Sequence, residues 1–210
     1  MPLVFQQNIN DTSTLGIWKI EENLAFFEAV PTIRTFRHEA LELGHRSCRQ
    51  IIRTLSPDID LELLAQDAHG RPVHKTAAVD ISFSHTRGWS AALLTKENRC
   101  GVDIEAIGEK AVLVQSKFLI EEDKQVLHAL PFHDECHYTL AWSLKETVFK
   151  WYGKGAVDFK KQIRLLSVET MTNNHIMAQI EFSREAPRRL TVYGLVHDEY
   201  VLTWLIAREN

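Results

Sequence analysis

The sequence predicts an α+β fold made of two similar halves. Three observations carry this expectation. Helical and extended patterns occur in separate blocks rather than in strict alternation, the arrangement of α+β proteins. Each half runs through a helical stretch into strands and ends on an apolar strand, Trp89-Ser90-Ala91-Ala92-Leu93-Leu94 in one and Tyr200-Val201-Leu202-Thr203-Trp204-Leu205 in the other. The chain has 210 residues, 45% of them hydrophobic and 25% charged, which is enough for a sizeable core. We expect the halves to divide at residues 1–100 and 101–210, whether counted as two domains or as one.

The elements follow in order from local patterns. Leu3 to Lys19 is strand-like, most clearly at Leu15-Gly16-Ile17-Trp18-Lys19-Ile20. Glu21 to Val30 predicts a short helix that Pro31 ends. From Thr32 to Leu55, Ile33, Phe36, Ala40, Leu43, Ser47, Ile51 and Leu55 recur at helical spacing, opposite a solvated side with Arg34, Arg37, Arg46, Arg49 and Arg53. Asp67 to Pro72 is a turn signal. Asp80 to His85, Trp89 to Thr95 and Cys100 to Glu105 read as strands. Helices are expected over Val112 to Phe118, Glu121 to Ala129 and His137 to Tyr152, with Gly153-Lys154-Gly155 as a C-terminal cap. Ile163 to Arg208 reads as antiparallel strands, turning at Asn173-Asn174 and at His197-Asp198-Glu199.

Two runs concentrate the chemistry. In Gly101-Val102-Asp103-Ile104-Glu105, the period of two puts both carboxylates on one face of a strand. In Trp142-Ser143-Leu144-Lys145-Glu146-Thr147-Val148-Phe149-Lys150, Lys145 adjoins Glu146, and Lys150 lies one turn beyond Glu146. Brought together, three carboxylates would meet two ammonium groups. Hard oxygen ligands suit Mg²⁺, and lysines suit phosphate. Each run also has a plain reading. Charges discourage aggregation at strand edges, and Glu146 to Lys150 is a stabilising i,i+4 helix pair. Ser84-His85 is either structural or a phosphate contact through a protonated imidazole. The absence of a Gly-x-Ser-x-Gly elbow argues against a serine hydrolase. The arginine-rich helix is a solvated face or a set of phosphate forks. Arg71 in Gly70-Arg71-Pro72 is a turn residue that could reach an anion.

Together, Gly70-Arg71-Pro72, Ile81-Ser82-Phe83-Ser84-His85-Thr86, Gly101 to Glu105 and Trp142 to Lys150 resemble, in order and approximate spacing, the 4′-phosphopantetheinyl transferases. The pattern is similar to the long, monomeric type that activates peptide and polyketide synthetases, as the surfactin-synthetase activator does. The resemblance spans residues 70 to 150 and extends through His45-Arg46 to about residue 31. It implies two α+β halves related by pseudo-twofold symmetry, with coenzyme A in the cleft between them. It implies transfer of the 4′-phosphopantetheine arm to a serine of an apo acyl or peptidyl carrier protein, releasing adenosine 3′,5′-bisphosphate.

By the same resemblance, Asp103, Glu105 and Glu146 would hold Mg²⁺. Glu146 or a metal-held water would deprotonate the serine. Lys150 and Lys145 would neutralise the diphosphate, and Ser84, His85, Arg46 and Arg34 would contact the adenine nucleotide and its 3′-phosphate. Arg71 stands where the family usually has Lys or Arg near the nucleotide. Pro31 departs from the pattern, falling where some relatives carry a basic residue, and Arg37 is the candidate replacement. The loop between Glu105 and Phe118 is the expected carrier contact. Two alternatives stay open, a non-catalytic coenzyme A or nucleotide-binding module and a metal-dependent phosphoester hydrolase.

Bulk properties narrow the partners. A net charge of -4 and a pI near 6.2 argue against nucleic acid. Cys48, Cys100 and Cys136 show no zinc or disulfide spacing, which fits a reducing compartment. Met1 to Asp11 lacks the pattern of a signal peptide, and no apolar run approaches about 18 residues. A cytoplasmic monomer that does not engage membranes is the expectation.

Overall fold

The computed structural model describes residues 3–33 and 35–209. The alternating pattern at the start folds as a hairpin of β1 (Leu3–Asn10) and β2 (Ser13–Lys19). Asn10 fixes its turn by accepting from the Thr12 amide at 3.0 Å. A 3₁₀ turn at Leu24–Phe27 replaces the expected short helix. Helix α1 (Glu39–Leu55) then starts at Glu39 rather than Thr32. Arg46 of α1 donates to the carbonyls of Phe27 and Val30, which holds the 27–30 segment against the helix.

Helix α1 buries Cys48, Ile51 and Ile52. Arg49 is buried as well, donating to the carbonyls of Leu64 and Leu61. It therefore leaves the expected solvated face, because two backbone acceptors below the helix hold its guanidinium. The chain continues through β3 (Leu64–Gln66), β4 (Pro72–His74), β5 (Asp80–Thr86) and β6 (Trp89–Thr95). These strands form a meander whose last member returns beside β2.

The second half repeats this path. Strand β7 (Arg99–Ala106) leads into α2 (Glu109–Val114), α3 (Glu121–His128), α4 (Asp134–Tyr152) and α5 (Phe159–Gln162). Another meander follows, formed by β8 (Ile163–Thr170), β9 (His175–Phe182), β10 (Arg188–Val196) and β11 (Tyr200–Ala207). The sheet orders are β1-β2-β6-β5-β4-β3 and β7-β11-β10-β9-β8. Without β1 the two are topologically equivalent: a strand, a helical crossover, then four antiparallel strands whose last pairs with the first. The fold is α+β in two halves.

The sheets pack against each other through Leu15, Ile17, Ala91 and Leu93 on one side and Val102, Ile104, Leu202 and Trp204 on the other. Full burial of each leucine, isoleucine or valine among them contributes roughly 1.5–3 kcal/mol. The outer face of the first sheet takes α1, and that of the second takes α4. Side chains also stitch the halves together. Cys100, Val102 and Ala106 of β7 donate their amides to Asp80 (2.7 Å), Ser82 (3.0 Å) and Thr86 (3.3 Å) of β5. The period of two makes this possible, since alternate β5 residues share a face. Among the described residues no helix is long and apolar enough to cross a membrane.

Candidate functional site

Strand β7 and helix α4 build the site. Gly101, Asp103 and Glu105 share the β7 face that meets α4. A Cβ at Gly101 would stand 2.2 Å from the Thr147 carbonyl oxygen, so glycine is what lets the helix sit this close. Ser143 and Thr147, one turn apart, lock α4 to Thr203 of β11 at 2.9 and 2.6 Å. A neighbouring stripe of Trp142, Glu146 and Lys150, again spaced by four, then lies along the β7 carboxylates.

Lys150 Nζ donates to Asp103 Oδ1 at 2.6 Å and to Ser84 Oγ at 2.8 Å, and Ser84 Oγ in turn donates to Asp103 Oδ1 at 2.8 Å. Trp142 Nε1 donates to Glu105 Oε1 at 3.1 Å. The structure thus gathers Ser84, Asp103, Glu105, Glu146 and Lys150.

Electrostatics set this group apart. Burial pushes the Glu146 carboxyl up to about 7 against the opposing pull of Lys150, with smaller additions from the charges of Asp103 and Glu105. Burial and then the Asp103 charge also raise Glu105. Desolvation opposes the charge on Lys150, but Asp103, Glu146 and Glu105 outweigh it and hold its pKa above the ordinary lysine value.

Asp103 is buried, and its Oδ2 has no hydrogen-bond partner among the described residues. An orphaned oxygen on a buried carboxylate is costly, and a hard cation is a natural remedy. The all-oxygen donor set fits Mg²⁺. The three carboxylates are not drawn to within 4.8 Å of one another, a closeness that a different group, His128, Asp134 and His137, does reach.

Beside the carboxylates, between the halves, lies a cavity of about 280 Å³. Its lining includes His45, Arg71, Phe83, His85, Phe149, Lys150, Gly153 and Gly155. The sequence placed His45 within the resemblance without a contact of its own, and read the glycine loop only as a helix cap. Gly153 sits at φ 67°, where a side chain is strained, and a Cβ there would be 2.5 Å from the Arg99 guanidinium. His85 lies against Gly44 of α1, where a Cβ would come within 2.5 Å of the imidazole.

Other expected residues are placed differently. Lys145 does not join the cleft. One residue along a helix is a turn of about 100°, so Lys145 points into the second-half core. There its Nζ reaches Asp123 (2.7 Å) and the carbonyls of Phe118 (2.8 Å), Phe159 (3.0 Å) and Ile163 (2.6 Å). Arg46 is held by Glu42 (2.8 Å) and by backbone carbonyls, and it does not line the cavity.

Arg71 does line the cavity, but its guanidinium ties the halves together. It pairs with Asp80 and donates to the carbonyls of Cys100 (2.9 Å) and Lys150, the latter on the last turn of α4. Arg34 lies outside the described residues. Pro31 is half-buried, and Arg37 carries no described contact with the cavity.

A family model of the 4′-phosphopantetheinyl transferase superfamily matches residues 99–205, half of the chain. The match runs from β7 to β11 and so includes Asp103, Glu105, Glu146 and Lys150. No curated protein matches the chain.

Proposed function

The chain belongs to the 4′-phosphopantetheinyl transferase superfamily, and from that premise we propose that it moves the 4′-phosphopantetheine arm of coenzyme A to a serine of an apo acyl or peptidyl carrier protein. The observation that carries this reading is the convergence of Asp103, Glu146 and Lys150 at the edge of a cavity between the halves. The long, monomeric, two-half subtype belongs to the same proposal, supported by two topologically equivalent halves within one chain.

Asp103, Glu105 and Glu146 are the residues that would hold Mg²⁺. When bound, the cation supplies neutralisation of the diphosphate charge. The remaining work falls to the chain. Phosphoryl-type transfer needs positioning and charge compensation more than covalent help. Lys150 brings an ammonium that stays protonated at neutral pH and sits at the cavity wall. Glu146, on the same helix face one turn earlier, takes the proton from the incoming serine hydroxyl. Ser84 orients Asp103, and the second half's core holds α4 in register. His85 and Arg71 form the wall expected to face the nucleotide, with His45 joining them. The carrier surface is assigned to the segment after Glu105, where Leu113 of α2 is largely exposed.

Intact mass spectrometry of an apo carrier protein incubated with this protein, coenzyme A and Mg²⁺ tests the reading. A mass gain of one phosphopantetheine arm, lost with EDTA or with Glu146→Gln, supports it. Coenzyme A binding without transfer across several apo carriers favours a binding module. Cleavage of coenzyme A without any carrier favours a hydrolase.

A further inference from the structure

We infer that His128, Asp134 and His137 form a zinc site, separate from the carboxylate cleft, that clips the end of α3 to the start of α4. One ligand atom from each of the three lies within 4.8 Å of the others. His137 supplies the independent observation. Its side chain is only 6% exposed, and its Nδ1 is buried without a hydrogen-bond partner among the described residues. The other ring nitrogen, Nε2, lies 3.2 Å from the Leu130 carbonyl oxygen. A carbonyl accepts only from N–H, so Nε2 carries the proton and Nδ1 offers its lone pair. That is how ligating histidines are set, with the far nitrogen donating to a carbonyl that fixes tautomer and ring angle.

Nδ1 faces Asp134, whose Oδ1 is 3.8 Å away. The His128 ring completes the group, its centroid 5.7 Å from that of His137. Around a tetrahedral ion with ligands at about 2.0–2.2 Å, neighbouring donor atoms stand roughly 3.4 Å apart. A small adjustment of the two exposed partners, His128 and Asp134, reaches that spacing.

The donor chemistry selects the metal. Two imidazoles and one carboxylate suit Zn²⁺, with water as a fourth ligand. The carboxylates of the cleft, Asp103, Glu105 and Glu146, offer oxygen alone, which suits Mg²⁺. One chain therefore sorts two cations by ligand type. The zinc site would pin the elbow from which α4 departs, and α4 carries Glu146 and Lys150 about three and four turns further on.

The test is Zn²⁺ affinity of the full chain, measured by competition with a chromogenic chelator in excess Mg²⁺ to saturate the cleft. One site is expected. His128→Ala and Asp134→Asn should each weaken it at least about tenfold. Both positions are exposed, so both variants should keep the wild-type circular dichroism and melting temperature in chelator. Co²⁺ should give visible ligand-field bands that His128→Ala removes. Absence of Zn²⁺ binding by the wild-type chain overturns the site. So does unchanged affinity in either variant, since three ligands are claimed.

Discussion

Helix α4 carries two ammonium–carboxylate pairs five residues apart, and they differ in kind. Lys145 and Asp123 are both 0% exposed, and four oxygens surround the ammonium. Asp123 is satisfied too, accepting from the amides of Leu165 (2.8 Å) and Ile120 (3.2 Å) as well. Lys150 is 24% exposed and Asp103 2%, and there one carboxylate oxygen lacks a partner while two further carboxylates crowd the pair. The first pair is closed and complete. The second is held short of completion, which is the state a site for a cation and a phosphate requires. A buried ion pair alone indicates little, and the informative quantity is what its neighbours leave unsatisfied.

The largest test of this contrast breaks the closed pair. Lys145→Met keeps the stem but strands Asp123 as an unpaired buried charge. Such a loss costs about 3–5 kcal/mol. Urea unfolding should show it, and transfer by the remaining folded protein should be close to normal. A variant that keeps its stability but loses transfer would move Lys145 back into the reaction.

The open pair should respond in the opposite sense. Glu146→Gln is expected to abolish transfer and to stabilise the protein in EDTA. Its folded pKa of about 7 lies above the ordinary 4.5, so the folded state holds the proton more tightly than the unfolded chain. Stability from this group is full below pH 4.5 and is lost as pH rises through about 7. At about 1.4 kcal/mol per tenfold change in proton affinity, the gain has an upper bound of about 3 kcal/mol. Melting temperatures across pH 4 to 8 should fall less steeply in Glu146→Gln than in wild type. Equal slopes would mean that Glu146 is not held in the buried, cation-poor setting on which the contrast rests.

The same contrast explains what was legible in the sequence. Asp103 with Glu105, and Glu146 with Lys150, were readable because strand and helix periods fix relative direction over a few residues. The two-half plan was readable from element order. Lys145 was misplaced because adjacency in sequence is divergence on a helix, and its partner Asp123 is 22 residues away. Arg46 was expected at the nucleotide and Arg49 on a solvated face, yet carbonyls of the 27–30 and 61–64 segments hold them. The seam of Asp80, Ser82 and Thr86 on β7 was invisible for the same reason. Contacts across the halves leave no local period.

Gly101→Ala tests the spacing on which the open pair depends. The new methyl group would press on the Thr147 carbonyl and the Trp151 amide, both backbone atoms that cannot rotate away. Overpacking of this kind costs about 1–3 kcal/mol. It should also lower transfer beyond the loss of folded protein, because α4 must shift and take Glu146 and Lys150 with it. Urea titration paired with single-turnover transfer separates the two effects.

Ser84→Ala should give the smallest change. The hydroxyl bridges Asp103 and Lys150, but those two touch directly at 2.6 Å. Its removal therefore strands neither charge, unlike the removal of Lys145. Two hydrogen bonds are lost, one accepted from Lys150 and one donated to Asp103; the second holds Asp103 in orientation and is worth about 1 kcal/mol. Transfer at saturating Mg²⁺ should fall about fivefold, the factor that corresponds to about 1 kcal/mol, with little change in melting temperature. A fall beyond a hundredfold would mean that Ser84 touches the reacting groups themselves. The open pair would then extend across both halves into β5, and the Ser84 hydroxyl would belong to the chemistry rather than to its alignment.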